Sequence, residues 1–234
     1  PHFSKRLIMA LNHLSKLRQS IEKLSKWEKS QKAFGYIKTE TEAKPQYIYE
    51  FFCAMSILED LSKNYLIKLQ PGKKGYVFPK SPGNKKEWAR FLIKEKEGVQ
   101  NTLFEVCLGI KIKISSSPKT TVAADISIHY PEPTEDPDDT HVILIMDAKY
   151  KEQNTESLDI GAIREFAQCA RDMNTPKSSA IDKLKFHKLT KMNGNCLITN
   201  GQVLREHEQY CINNKIKQVG KFDCDHLPIE VIGY

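Results

Sequence analysis

The sequence predicts an α/β fold in which a mixed central sheet is flanked by helices, with a helical extension at the N-terminus. Three observations carry that expectation. Apolar residues recur at helical spacing over 7–24, 46–65 and 160–173. They alternate, or run on continuously at strand length, over 103–114, 122–130, 141–150 and 195–199. The two patterns interleave along the chain, which favours helices packed on a sheet.

The 234 residues, 40% hydrophobic and 28% charged, suffice for one domain with a substantial core. Lys+Arg 36 against Asp+Glu 29 gives a net charge of +7, which favours an anionic partner without saying which. The longest aliphatic run, 142–146, is too short to cross a bilayer, and no signal-type stretch opens the chain, so neither a membrane protein nor a secreted precursor is expected. Six cysteines without C-x-x-C or zinc spacing read as reduced thiols of a cytoplasmic protein. Asp223-Cys224-Asp225-His226 reads as a polar loop, because neighbours on a regular element point in different directions. The chain opens on Pro1, as a trimmed piece of a larger parent would.

Taken in order, Leu7, Leu14 and Ile21 share one heptad position and Ala10, Leu17 and Leu24 the other. This predicts a long helix, within a segment 1–38, that needs a partner: its own chain, a second copy or a further N-terminal region. Gly35 and the polar stretch 39–45 end it, and a globular domain over 46–234 follows. In the helix from 46 towards 65, Glu50 shares a face with Tyr47, Ala54, Ile57 and Leu61. An acid within an apolar stripe is costly unless it is paired, hydrated or bound to metal. Residues 68–96 are turn-rich and basic, with Lys73, Lys74, Lys85 and Lys86 among Tyr76, Phe78 and Trp88. Such a segment reads equally as phosphate-contacting loops with stacking aromatics or as a hairpin whose aromatics pack inward.

Strands are predicted over 103–114 and over 122–130, where Asp125, Ser127 and His129 share the polar face. An acidic connector with three prolines follows at 131–140. The 141–150 strand is apolar on both faces until an abrupt polar end at Asp147-Ala148-Lys149. Next come a helix at 160–173, a basic loop or helix at 177–191, a buried strand at 195–199, a helix at 202–215 and a closing strand at 228–232.

Asp147 and Lys149, two apart, project from one face of a strand with the Ala148 carbonyl between them. Antiparallel pairing with the preceding strand brings Asp125 to the same end. A second acid-any-Lys triplet, Glu42-Ala43-Lys44, sits in a polar linker with no strand before it. Three acids aimed at one spot repel unless a cation lies among them, and a divalent metal is the simplest such cation. Glu50 is the preferred third acid, with Glu105 as the alternative.

In this order of elements, a helix with an acid, a hairpin with Asp and then acid-x-Lys, a helix, a strand and a helix, the chain resembles the PD-(D/E)XK nuclease superfamily over 46–215. Met146-Asp147-Ala148-Lys149-Tyr150-Lys151 is similar to the "DAKY" form of McrC-like nuclease subunits. Leu197-Ile198-Thr199-Asn200-Gly201 is similar to a strand and loop of Mrr-type restriction nucleases. Ala124 stands where the motif has proline, and the glutamine-and-tyrosine pattern of the next helix is met only by Glu165 and Gln168, with no matching tyrosine.

The resemblance implies a restriction-endonuclease-like core and a Mg²⁺ ion, with Mn²⁺ as substitute, held by Asp125, Asp147 and the Ala148 carbonyl. Glu50 would bind an ion or orient a ligand water, and Gln168 is an auxiliary candidate. Lys149 would orient or help deprotonate the attacking water and stabilise the pentacovalent transition state. The implied activity is hydrolysis of DNA phosphodiester bonds, as the nuclease effector of a restriction or anti-phage system. Its implied partners are an NTPase or recognition subunit, or the N-terminal region of a larger chain, and a homodimer would serve where both strands are cut. Lys73, Lys74, Lys85 and Lys86 are the expected DNA contacts, with Arg164, Lys183 and Lys185 as a second edge. The alternatives are a non-catalytic nucleic-acid-binding or assembly module on the same fold, and a metal-free domain whose acids pair with Lys149 and Arg164. Retention of Asp125, Asp147 and Lys149 together weighs against loss of activity.

Overall fold

The computed structural model describes residues 2–27, 44–79, 81–98, 101–131, 137–225 and 229–234, with main chain only for 2–10, 27, 118 and 178. Helix α1 (His2–Leu24) is followed by α2 (Pro45–Leu61). Proline at the first turn starts α2 without forfeiting a helical hydrogen bond. Strands β1 (Leu66–Gln70), β2 (Arg90–Lys94) and β3 (Thr102–Leu108) precede a small separate hairpin of β4 (Ile112–Ile114) and β5 (Ser117–Val122). Then come β6 (Ile126–His129), β7 (Val142–Lys149), helix α3 (Ile160–Asp172), the short α4 (Ser178–Ile181), β8 (Asn195–Thr199), α5 (Glu208–Asn213), β9 (Ile216–Gly220) and β10 (Glu230–Gly233).

Eight strands form one mixed sheet in the order β1-β2-β3-β6-β7-β8-β9-β10. Pairing is antiparallel from β1 through β7, parallel for β7-β8-β9 and antiparallel again for β9-β10. Helix α3 lies in the crossover that makes β7 and β8 parallel. One face of the sheet packs on α2, whose Ile48, Phe52, Met55 and Ile57 are buried, and α2 in turn covers Leu14, Leu17 and Ile21 of α1. The described part of the heptad helix thus has its partner within the same chain. The other face packs on Ile163, Phe166, Ala167 and Ala170 of α3.

Several boundaries differ from expectation. Strand β1 begins just before the turn-rich 68–96 segment and β2 lies within it, their short apolar alternation masked by the lysines around them. The 103–114 strand breaks at Gly109, which takes φ 53°, and the 122–130 strand breaks just before Ile126. The 202–215 helix contracts to α5. Strand β9 carries Lys217 and Gln218 in a short run with no clear period, and the buried Gln218 amide donates to Cys211 Sγ at 3.3 Å.

The registers define two ends of the sheet. Gln70, Arg90, Leu108, Ile126 and Met146 lie towards one end, and Leu66, Lys94, Thr102, His129 and Val142 towards the other. The predicted acids sit at the first.

Candidate functional site

Ile126 pairs with Met146, so Asp125 and Asp147 stand opposite one another one step further on, at the open end of the β6–β7 hairpin. The main chain laces them together. The Ala148 amide donates to Asp125 Oδ2 at 2.8 Å, and the Asp125 amide reaches Asp147 Oδ1 at 3.4 Å. Lys149 Nζ lies 2.6 Å from Asp147 Oδ2.

Glu50 enters from α2, and the residue that fixes this approach is Gln46, one turn earlier. Its side-chain amide donates to the Ala148 carbonyl, and its oxygen accepts from the Tyr150 amide at 3.0 Å. One side chain therefore ties α2 to the main chain on either side of Lys149. The Ala148 carbonyl keeps a second lone pair for another partner. Sequence reasoning missed Gln46, although its position four residues before Glu50 on the same helical face was the available signal.

The electrostatics follow from crowding. Burial, with the Asp147 charge adding to it, pushes Glu50 up to about 7 against the opposing effects of Gln46 and Lys149. Burial, then the Asp147 and Glu50 charges, raises Asp125 well above the usual carboxylate range. For Lys149, burial works against the ammonium form, but Asp147, with Asp125 and Glu50, outweighs it and holds its pKa above the ordinary lysine value. Three carboxyl groups thus share one ammonium. The donors are hard oxygens of the kind that suit Mg²⁺ or Mn²⁺, and a dication offsets both the burial and the mutual repulsion that raise Glu50 and Asp125.

A narrow cleft bordered by Tyr47, Phe78, Pro79 and Gly109 opens onto Glu50 and Asp125. Gly109 is required there twice over: its φ is left-handed, and an added Cβ would stand 3.2 Å from Pro79 Cγ. Beyond β7, Asn200 clamps Lys151 by accepting from its amide at 2.7 Å and donating to its carbonyl at 2.8 Å. The Thr199-Asn200-Gly201 turn therefore supports the polar end of the strand.

Not every predicted residue joins this site. Gln168 donates to Asp172 and accepts from Arg171, each at 2.6 Å, on the exposed face of α3. On the same helix, burial and then the charges of Asp147, Asp172, Glu165 and Asp125 push the Cys169 thiol up to about 12. Glu105 pairs in register with His129, well back from Asp125, and engages Lys85 and Arg90.

Lys85 is accordingly corrected as a DNA contact. Its side chain is only 3% exposed and forms an ion pair with Glu105, since a buried carboxylate at that point of β3 demands a cation. Lys73 and Lys74 are exposed on a turn whose amides bond Lys86 and Glu87 carbonyls at the acid end of the sheet. Lys74 is 2.9 Å from Glu87 and 4.2 Å from the Trp88 ring centre. Arg164 is exposed on α3. Lys183 and Lys185 are exposed, but their main chain bonds Tyr65 and Asn64, next to Leu66, at the end of the sheet opposite the acids. They form no second edge of this site.

No family model, no curated protein and no solved structure matches the chain. Among the described residues, no helix is long and apolar enough to cross a membrane.

Proposed function

We propose that this chain is a Mg²⁺-dependent endodeoxyribonuclease built on a restriction-endonuclease-like core, acting as the nuclease effector of a restriction or anti-phage system. The observation that carries the reading is the convergence of Asp125, Asp147, Lys149 and Glu50 from two strands and a helix at one end of a mixed sheet. The sequence of α2, the β3-β6-β7 meander, α3 and the parallel β8 supports the same reading.

Asp125, Asp147 and the free lone pair of the Ala148 carbonyl would hold the ion, with Glu50 at its side. A bound Mg²⁺ would lower the pKa of a ligand water and offset charge on the scissile phosphate. Lys149, held as an ammonium by its three acids, suits electrostatic stabilisation of the pentacovalent phosphorus and orientation of the water better than removal of its proton. Gln46 keeps Glu50 and the Asp147-Ala148-Lys149 strand end in fixed relation. Lys73 and Lys74 supply phosphate contacts on the same end of the molecule, with Lys86 and Arg164 as further candidates.

The test is incubation with supercoiled plasmid, linear duplex and single-stranded DNA in Mg²⁺, Mn²⁺ or EDTA, beside Asp147→Asn and Lys149→Ala. Metal-dependent cutting that both substitutions remove is the expected result. Cutting that persists in EDTA or in the variants contradicts the assignment.

A further inference from the structure

A second cluster of donors lies where the N-terminal helix meets the β9–β10 connection. His13 of α1 directs Nε2 at both oxygens of Asp223, 2.9 Å from each. The adjoining Cys224 brings its thiol to the same point, so that one ligand atom from each of the three residues lies within 4.8 Å of the others. All three are partly buried, and the Asp223 side chain is only 5% exposed. Neighbouring positions in a loop escape the alternation of a strand, which is how Asp223 and Cys224 can serve one centre. The third donor is 210 residues away in sequence, beyond the reach of spacing rules.

The second nitrogen of His13 is also engaged. Nδ1 lies 3.2 Å from the Tyr150 hydroxyl, and the two rings stack at 5.7 Å and 15°. A histidine whose outer nitrogen is fixed by a hydrogen bond has its ring orientation set for ligation through the other. Among the described residues, Ser20, Leu24, Asp223 and Cys224 border a cavity of about 910 Å³, which gives an ion a way in and room for a water ligand.

We propose that His13, Asp223 and Cys224 form a Zn²⁺ site that staples the N-terminal helix to the loop between β9 and β10. Nitrogen and thiolate sulfur with one carboxylate favour zinc, whereas magnesium prefers oxygen donors alone. Zinc bond lengths of about 2.0–2.3 Å place tetrahedral donors roughly 3.3–3.6 Å apart, so His13 Nε2 and Asp223, now 2.9 Å apart, would open slightly to admit the ion, with the Cys224 thiol, within 4.8 Å of both, turning onto it. Through Tyr150 the site touches the residue that follows Lys149. This inference does not depend on the nuclease reading.

Cobalt is the probe, added to the reduced full chain as Co²⁺ alone. One equivalent should give the near-ultraviolet thiolate-to-cobalt absorption, and added Zn²⁺ should abolish it. The band should survive Cys169→Ala and Asp147→Asn, which alter the other acid-rich centre, and vanish in Cys224→Ser. Tyr150→Phe, which removes the outer hydrogen bond, should weaken Co²⁺ binding about 10-fold. In a separate measurement on Asp125→Asn/Asp147→Asn, which lacks the acid centre, Zn²⁺ should raise the melting temperature where equal Mg²⁺ does not. Absence of both the band and the zinc-specific rise overturns the proposal, and so does a band that persists in Cys224→Ser.

Discussion

Two clusters of buried charge on one sheet are built from the same residue types and balanced in opposite ways. At Glu105, a single acid on β3 meets two cations, Lys85 and Arg90, and lies beside the fully buried His129, which burial and the Lys85 charge push down to about 3. At the end of β7, three acids meet one cation, Lys149. In the first cluster the acid already has its cations. In the second, Glu50 and Asp125 keep their protons more tightly than carboxyl groups normally do, a state that a divalent ion would reverse. An acid beside a lysine is therefore no mark of a site; an excess of acids over cations in a half-buried cleft is.

The largest effect that separates the clusters is on turnover. Lys149→Ala should lower plasmid cleavage by about 10³-fold while leaving the melting temperature within a few degrees. Lys85→Met should do the reverse. It strands Glu105 in the interior with Arg90 alone, so denaturant unfolding should show a loss of about 3 kcal/mol, with cleavage per folded molecule unchanged. A Lys85→Met protein of full stability and weakened DNA binding would return Lys85 to the DNA-contact set.

Glu50 gives a smaller, pH-dependent contrast. Its folded pKa, about 7, lies above the ordinary 4.5, so the folded state holds this proton more tightly than the unfolded chain does. Below about pH 4.5 both states carry the proton and the folded state suffers no penalty. Stability then declines as pH rises to about 7 and stays lower above it. In EDTA, Glu50→Gln should gain on the order of 1–3 kcal/mol over the wild type at about pH 8, and nothing at about pH 4. Equal pH profiles for the two proteins would place Glu50 outside the crowded centre.

The smallest effect concerns the two ends of the sheet. Neutralising Lys73 and Lys74 should flatten the salt dependence of DNA binding, by about 0.9 in slope for each lysine–phosphate pair removed, whereas Lys183→Ala and Lys185→Ala should leave it unchanged. A matching reduction from the second pair would contradict the assignment of DNA to the acid end.

The carriers of local pattern were legible in the sequence. Asp125, Asp147 and Lys149 sit at strand ends marked by a sudden change from apolar to polar residues, and Glu50 interrupts an apolar helical stripe. The β8 strand and α3 were read within a residue of their bounds. What failed was whatever depends on distant chain. The lysines of 68–96 concealed β1 and β2, and Lys85 could not be told from Lys86 without knowing that Glu105 lies beneath it. Gln46 acts on the Ala148 carbonyl 102 residues away, and His13 meets Asp223 across 210. Periodicity reports which face a residue occupies, but not which partner that face meets.

The central claim, that the excess acids at the end of β7 await a divalent cation, is tested most directly by titrating the protein with Mn²⁺ and following free ion by electron paramagnetic resonance. The account predicts that the wild type removes Mn²⁺ signal, that Mg²⁺ restores it by competition, and that Asp125→Asn/Asp147→Asn leaves the signal untouched. Equal uptake by the wild type and the double variant, or none by either, would contradict it.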